Sequence, residues 1–205
     1  MSALFVLLWA LIGLIVTIGS TWLEAFVGVP FLGDRGFYSL GVNFQVGGAL
    51  FTGCMGGRNA AALSQIAYVV LGLFLFNRFG YEVFTQGAGV ASLREPWFGY
   101  LLGFIPAGWL CGYLAFRSAV RSTEALERFA FETLRLTMAT LSGLAAIHLC
   151  GLGYLLLGTL VRWVRLEGSV AQAVMTYSVM EIPGQVMVAC AIALISFGLR
   201  RALFY

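Results

Sequence analysis

The sequence contains no lysine, and all twelve of its basic residues are arginine. Charged residues of both signs make up only 10% of the chain, against about one-quarter in a soluble globular domain. The net charge of +3 is small and lies mostly at the ends of apolar runs, which argues against nucleic acid as a partner. The phosphate-binding pattern GxxxxGK[ST] is absent, so any work that needs ATP requires a partner ATPase. None of the four cysteines, Cys54, Cys111, Cys150 and Cys190, shares a CxxC spacing with another. Each sits inside an apolar run and reads as a small buried hydrophobe rather than as a disulfide or a metal ligand.

What is present is apolar. Hydrophobic residues make up 60% of the 205-residue chain, and its mean hydropathy is +0.92. A soluble fold of this composition would expose large greasy patches and aggregate. A lipid bilayer is the solvent that suits it. The first apolar run, Ala3 to Val27, has no positively charged segment before it and exceeds a signal-peptide core. It is expected to be a mature helix.

Six spans follow from the apolar runs. They cover Ala3–Phe26, Val42–Gly57, Ala60–Phe76, Trp97–Phe116, Leu136–Val161 and Ser169–Leu199. At about 20 residues each they use roughly 120–150 residues, leaving no room for a soluble catalytic domain. The second span is short and rich in glycine, and Arg58 with Asn59 marks a tight turn after it. A Gly/Pro-rich loop, Gly28–Gly41, contains Asp34 and Arg35. The stretch from Arg117 to Arg135 is charged and amphipathic, and Glu124 with Arg128 has the i,i+4 order that supports a connecting helix. The expected fold is an all-α polytopic bundle of six transmembrane helices, one integral membrane domain over residues 1–205.

Arginines set the expected orientation. Seven of them (Arg58, Arg117, Arg121, Arg128, Arg135, Arg200 and Arg201) fall on the side of the termini, and five (Arg35, Arg78, Arg94, Arg162 and Arg165) on the other. By the positive-inside rule the termini are cytoplasmic in a multi-pass plasma-membrane protein.

Polar residues inside spans are costly unless they face protein, water or a ligand. Tyr177, Glu181 and Gln185 recur at a spacing of four and share one helix face. Glu181 lies about 18 Å into the last span, too deep for its carboxylate to reach water along its own side chain. Pro183 follows it, lacks an N–H and frees a carbonyl near residue 179. One reading is a polar patch that grips a ligand; the other is a kink sealed by Glu181 for packing. The cost of the buried acid favours the first.

The loop Asn77–Glu95 is the second candidate. Gln86, Gly87 and Gly89 permit close backbone approach, and Arg94 beside Pro96 can pair with a carboxylate. An ordinary outer loop with an interfacial arginine accounts for the same residues. Gln45, Gln65 and Tyr68 are further polar groups in or near spans two and three; hydrogen bonding between helices is the simpler account, above all for Gln65. His148 is the only histidine and has no set of metal-ligating partners, so a structural hydrogen bond is expected of it. Trp97 and Trp163 stand at span ends and read as interface anchors, although aromatic rings would also suit a flat ligand. Ala10, Gly13 and Thr17 form a stripe of small residues that suits close helix contact, within the chain or with a partner subunit.

The stretch FTQGAGVASLREPWFGYLLGFIPAGWLCG, Phe84–Gly112, resembles the BioY family. Pro96 and the run Gly99-Tyr100-Leu101-Leu102-Gly103-Phe104 carry the most specific part of the likeness. Phe44-Gln45, Tyr68 with Gly72 and Leu73, His148-Leu149 and Ile182-Pro183-Gly184 resemble other segments of the family in the same order. The resemblance implies a substrate-binding (S) component of an energy-coupling-factor transporter for biotin. It implies no enzyme activity and no cofactor, with ATP used only by partner ATPase subunits alongside a transmembrane coupling subunit. It implies substrate contacts from Gln45, Tyr68, Gln86, Gly87, Gly89, Arg94, Tyr100, Tyr177, Glu181 and Gln185.

The chain departs from the family pattern PGDxxK, having Gln185 and Val188 where that pattern has an acid and a lysine. Glu181 is read as restoring the acid and Arg94 the cation. A related vitamin-like solute is the alternative substrate. A structural membrane subunit without a ligand and an intramembrane enzyme using Glu181 and His148 are the rival classes.

Overall fold

The computed structural model describes residues 2–28, 37–75, 83–84, 86–117 and 125–204. Asp34, Arg35, Arg78, Arg121 and Glu124 lie outside the described residues. Helix α1 spans Ala3–Thr21 and is followed by two strands, β1 (Glu24–Gly28) and β2 (Phe37–Asn43), paired antiparallel. Helix α2 spans Gln45–Val70 and ends in a wide π turn, Leu71–Leu75. A 3₁₀ turn, Val90–Arg94, leads to α3 (Phe98–Leu102) and α4 (Phe104–Ala115). Helix α5 covers Ala125–Leu160, α6 covers Val170–Val174, and after a second π turn, Met175–Val179, α7 covers Ile182–Phe204.

The helical membrane class holds, and the count of helical elements is corrected from six to five. Among the described residues five helical stretches are long and apolar enough to cross a bilayer: 3–21, 45–75, 98–115, 129–160 and 170–203. Expected spans two and three are one element, α2. That element is not straight. Gln45 and Tyr68 are 23 residues apart, about 34 Å along a regular helix, yet Gln45 Nε2 donates to Tyr68 Oη at 2.7 Å. The helix therefore folds back on itself. The reversal is at Gly57, whose φ of 80° and ψ of 178° suit glycine alone. The two arms run antiparallel between the two ends of the bundle, which is why two expected spans become one folded element. Both ends of α2 meet the same end of the bundle.

Three other boundaries move. Helix α1 stops at Thr21, five residues before the expected end, because the chain from Glu24 pairs with β2. From Ala125 on, the charged stretch before Leu136 is continuous with its span in one 36-residue helix, α5. The expected fourth span is broken into α3 and α4 at Gly103.

Small residues set the packing. Ala10, Gly13 and Thr17 are buried, and a Cβ at Gly13 would run into Thr52 and Ser64, one from each arm of α2. The stripe on α1 thus serves a contact within the chain. Gln65 Nε2 donates to Thr17 Oγ1 at 3.0 Å, the interhelical bond expected of it. The α2 reversal packs beside Gly112 near the end of α4, where Arg58 faces the stacked rings of Trp109 and Tyr113. Arg135 donates to the Arg117 carbonyl and Arg200 to the Ala115 carbonyl at this same end. The start of α1 joins them, since Trp9 lies against Gly56. One end of the bundle therefore gathers the α2 turn, both terminal helices' outer ends and a group of arginines. The strands, the 3₁₀ turn and the start of α6 are at the other end.

Candidate functional site

A cavity of about 140 Å³ opens at the end carrying the strands. Three kinds of segment build its wall. Strand β2 and the start of α2 supply Val42, Asn43, Gln45 and Val46; the turn before the 3₁₀ segment supplies Phe84 and Gln86; and α3 to α7 supply mainly aromatic and polar side chains.

The last span shapes the polar side. The π turn carries Tyr177 and Ser178, with the Met180 amide donating to the Met175 carbonyl at 3.0 Å. Helix α7 restarts at Ile182, where Pro183 has no N–H to continue the ladder. Glu181 falls in this break, half-buried, and π turns of this kind recur at functional sites. A Cβ at Gly184 would sit 2.8 Å from the Leu40 carbonyl oxygen, so only glycine lets β2 lie so close to α7. That closeness brings β2 to the cavity wall.

A chain of hydrogen bonds runs behind the wall. Tyr100 Oη lies 2.8 Å from Ser178 Oγ, and Ser178 Oγ lies 3.2 Å from His148 Nδ1. His148 Nε2 is 3.0 Å from Gln185 Oε1, and Gln185 Nε2 donates to Glu181 Oε2 at 2.6 Å. Donor inventory polarises the chain. The Gln185 amide turns its N–H₂ to Glu181 and its oxygen to His148. His148 then carries its proton on Nε2 and accepts at Nδ1 from Ser178, whose oxygen accepts from Tyr100. Every donor points towards Glu181.

Six of the ten expected contact residues line the cavity: Gln45, Gln86, Tyr100, Tyr177, Glu181 and Gln185. The other four stand behind it or beside it. Tyr68 is fully buried, accepts from Gln45 and donates to the Val83 carbonyl at 2.6 Å, so it holds a lining residue and the neighbouring turn together. Gly87 exchanges two backbone hydrogen bonds with Phe84, closing the turn that presents Phe84 and Gln86. Gly89 donates its amide to the Gly72 carbonyl at 3.0 Å. Arg94 is away from the cavity, with its guanidinium 5.0 Å from the centre of the Trp163 ring. Tyr154 Oη and Trp163 Nε1 both donate to the Leu93 carbonyl, and the Arg165 amide donates to that of Arg94. These contacts clamp the 3₁₀ turn to the end of α5.

Sequence reasoning missed Trp97, Asn43, Phe84, Leu101, Phe104 and Ile147 as lining residues, and Ser178 as the link between Tyr100 and His148. Trp97 stacks edge-to-face with Phe84 at 6.0 Å, and Phe84 does the same with Tyr68 at 5.5 Å, so the apolar wall is an aromatic cluster. Its signal was the density of rings between Phe84 and Phe104. Trp163 anchors the 3₁₀ turn as well as facing outward.

Known proteins resemble the chain in sequence and in fold. The chain is 31% identical over 153 residues to a probable biotin transporter BioY of Lysinibacillus sphaericus, covering 74% of this chain and 69% of that one. It is 23% identical over 202 residues to an uncharacterised 21.2 kDa protein of Cyanophora paradoxa, covering 97% and 96% of the two chains. Its fold matches the crystal structure of the S-component for biotin from an ECF-type ABC transporter, with a TM-score of 0.66, 18% identity and coverage of 98% of this chain and 95% of that one. The model of the BioY family matches residues 1–204, and the chain belongs to that family.

Proposed function

We propose that this chain is the substrate-binding (S) component of an energy-coupling-factor importer and that it binds biotin. The observation that carries the reading is the cavity itself. An apolar, aromatic wall faces a small set of oriented polar groups (Gln45, Gln86, Tyr177, Glu181 and Gln185), the combination typical of a small-molecule site. A cyclic urea suits it, because its N–H groups and carbonyl complement a carboxylate and a carboxamide held in fixed orientation.

The chain binds and carries out no covalent chemistry, and it needs no cofactor of its own. Energy comes from partner ATPase subunits through a transmembrane coupling subunit. The arginine-bearing end of the bundle is cytoplasmic by the positive-inside rule, and the cavity opens outside. His148 is absorbed by structural hydrogen bonds to Ser178 and Gln185, which weighs against a catalytic role for it.

The test is thermal shift and calorimetry on the purified full chain in detergent with biotin and a panel of other vitamins. A ligand that binds the folded state raises its apparent stability. Biotin is expected to do so saturably. A shift with a different vitamin and none with biotin would move the substrate assignment, and no shift with any would favour a subunit without a ligand.

A further inference from the structure

At the end of the bundle away from the cavity, Gly112 on α4 sits against the reversal of α2. A Cβ there would run into the Arg58 backbone, so glycine is what lets the two helices meet at this point. The contact sets the Arg58 side chain beside Trp109 and Tyr113, which stand on either side of Gly112 along α4. The two rings are stacked, with 5.6 Å between centroids and 5° between planes. The Arg58 guanidinium carbon lies 5.8 Å from the Trp109 ring centre and 6.0 Å from that of Tyr113. All three side chains are open to the surroundings of the bundle: Arg58 is exposed, Trp109 42% and Tyr113 41% so. Tyr113 is two residues from the end of α4 at Ala115. The cluster therefore stands where a membrane-spanning helix meets the headgroup layer, the level that exposed tryptophan and tyrosine favour.

A guanidinium over aromatic rings keeps its planar fork of N–H groups for an anion, and phosphate fits that fork with two parallel bonds. At this depth the anion that a lipid-facing arginine meets is a lipid phosphate. A zwitterionic headgroup brings an ammonium with its phosphate, and that charge opposes the arginine. Arg117, Arg135 and Arg200 at the same end oppose it further and favour a headgroup of net negative charge. We infer that Arg58, Trp109 and Tyr113 form a binding site for an anionic phospholipid, whose phosphate accepts from the guanidinium while the rings lie along its glycerol and upper acyl chain. The inference rests on the membrane-spanning fold and is independent of the biotin reading.

The test is native mass spectrometry of the full chain in detergent with equal amounts of phosphatidylglycerol and phosphatidylcholine of matched acyl chains. The parent is expected to retain phosphatidylglycerol over phosphatidylcholine by at least about fivefold. In Arg58→Gln the preference is expected to fall below about twofold. Trp109→Leu removes a ring and keeps the charge; it is expected to lower phosphatidylglycerol retention at least about twofold, and it carries the test if Arg58→Gln does not melt cooperatively. Equal retention of the two lipids by the parent would overturn the inference. So would an unchanged preference in a well-folded Arg58→Gln, or unchanged retention in a well-folded Trp109→Leu, either of which would leave the cluster to a protein partner. Inorganic phosphate is added to the parent in a parallel melt. A rise equal to that given by phosphatidylglycerol, and lost in Arg58→Gln, would assign the cluster to a free anion and overturn the lipid site.

Discussion

His148 on α5 and Gln185 on α7 are joined at 3.0 Å, Nε2 to Oε1, and this bond fixes which face of the Gln185 amide reaches Glu181. Two long helices are thus registered by the same group that orients the polar wall of the cavity. Replacing His148 with alanine leaves Gln185 Oε1 and Ser178 Oγ short of a partner in a buried setting. Such a loss costs about 1–3 kcal/mol. The expected outcome for His148→Ala is a fall of about tenfold in biotin affinity, read by calorimetry, together with a lower melting temperature.

Tyr68 joins both arms of α2 to the turn that presents Phe84. Its hydroxyl accepts from Gln45 and donates to the Val83 carbonyl, and the residue is fully buried. Tyr68→Phe removes only the hydroxyl. It is expected to destabilise by about 1–3 kcal/mol through the loss of the bonds to Gln45 and the Val83 carbonyl. Melting in detergent measures it, and affinity is expected to fall as well, because Gln45 loses its support.

Gly57 has a backbone conformation that other residues reach only under strain. Gly57→Ala is expected to lower stability by about 1–3 kcal/mol. Its position at the far end of the bundle predicts that biotin affinity of the folded fraction stays within about twofold of the parent. A melt and a titration on the same preparation separate the two effects.

Arg94 and Glu181 were expected from sequence to act together, and the structure separates them. Arg94 stacks on Trp163, and a cation–π contact at an exposed site is worth about 0.5–1 kcal/mol. Arg94→Ala is expected to weaken binding by no more than about fivefold. Glu181→Ala removes an acceptor from the wall and leaves the Gln185 N–H without its partner. It is expected to weaken binding by at least about tenfold.

Much of the polar wall was legible because burying an acid is costly. Tyr177, Glu181 and Gln185 at a spacing of four announced a face, and Pro183 announced the break that opens it. Trp97 was not legible in the same way. A tryptophan at a span end looks the same whether its ring meets lipid headgroups or a cleft at that depth. Ser178 carries no signal of its own, since its role is made by Tyr100 and His148, which lie 78 and 30 residues away in sequence. The strands were missed because Phe37–Asn43 lacks a clear polar–apolar alternation and its partner is chosen by packing against α7. The turn at Arg58 and Asn59 was legible from composition. That the two flanking runs form arms of one folded helix depends on Gly57 and on the Gln45–Tyr68 contact, neither of which is visible in a hydropathy profile.

The central claim is that the cavity beside Gln185 is the biotin site. Equilibrium dialysis of labelled biotin against the parent chain and Gln185→Leu, with both melts recorded, tests it most directly. Leucine keeps most of the volume and removes every hydrogen bond of the carboxamide. The account predicts saturable binding of one biotin per parent chain and a loss of at least about tenfold in the variant. Absence of saturable binding to the parent, or equal affinity in a well-folded variant, would contradict it.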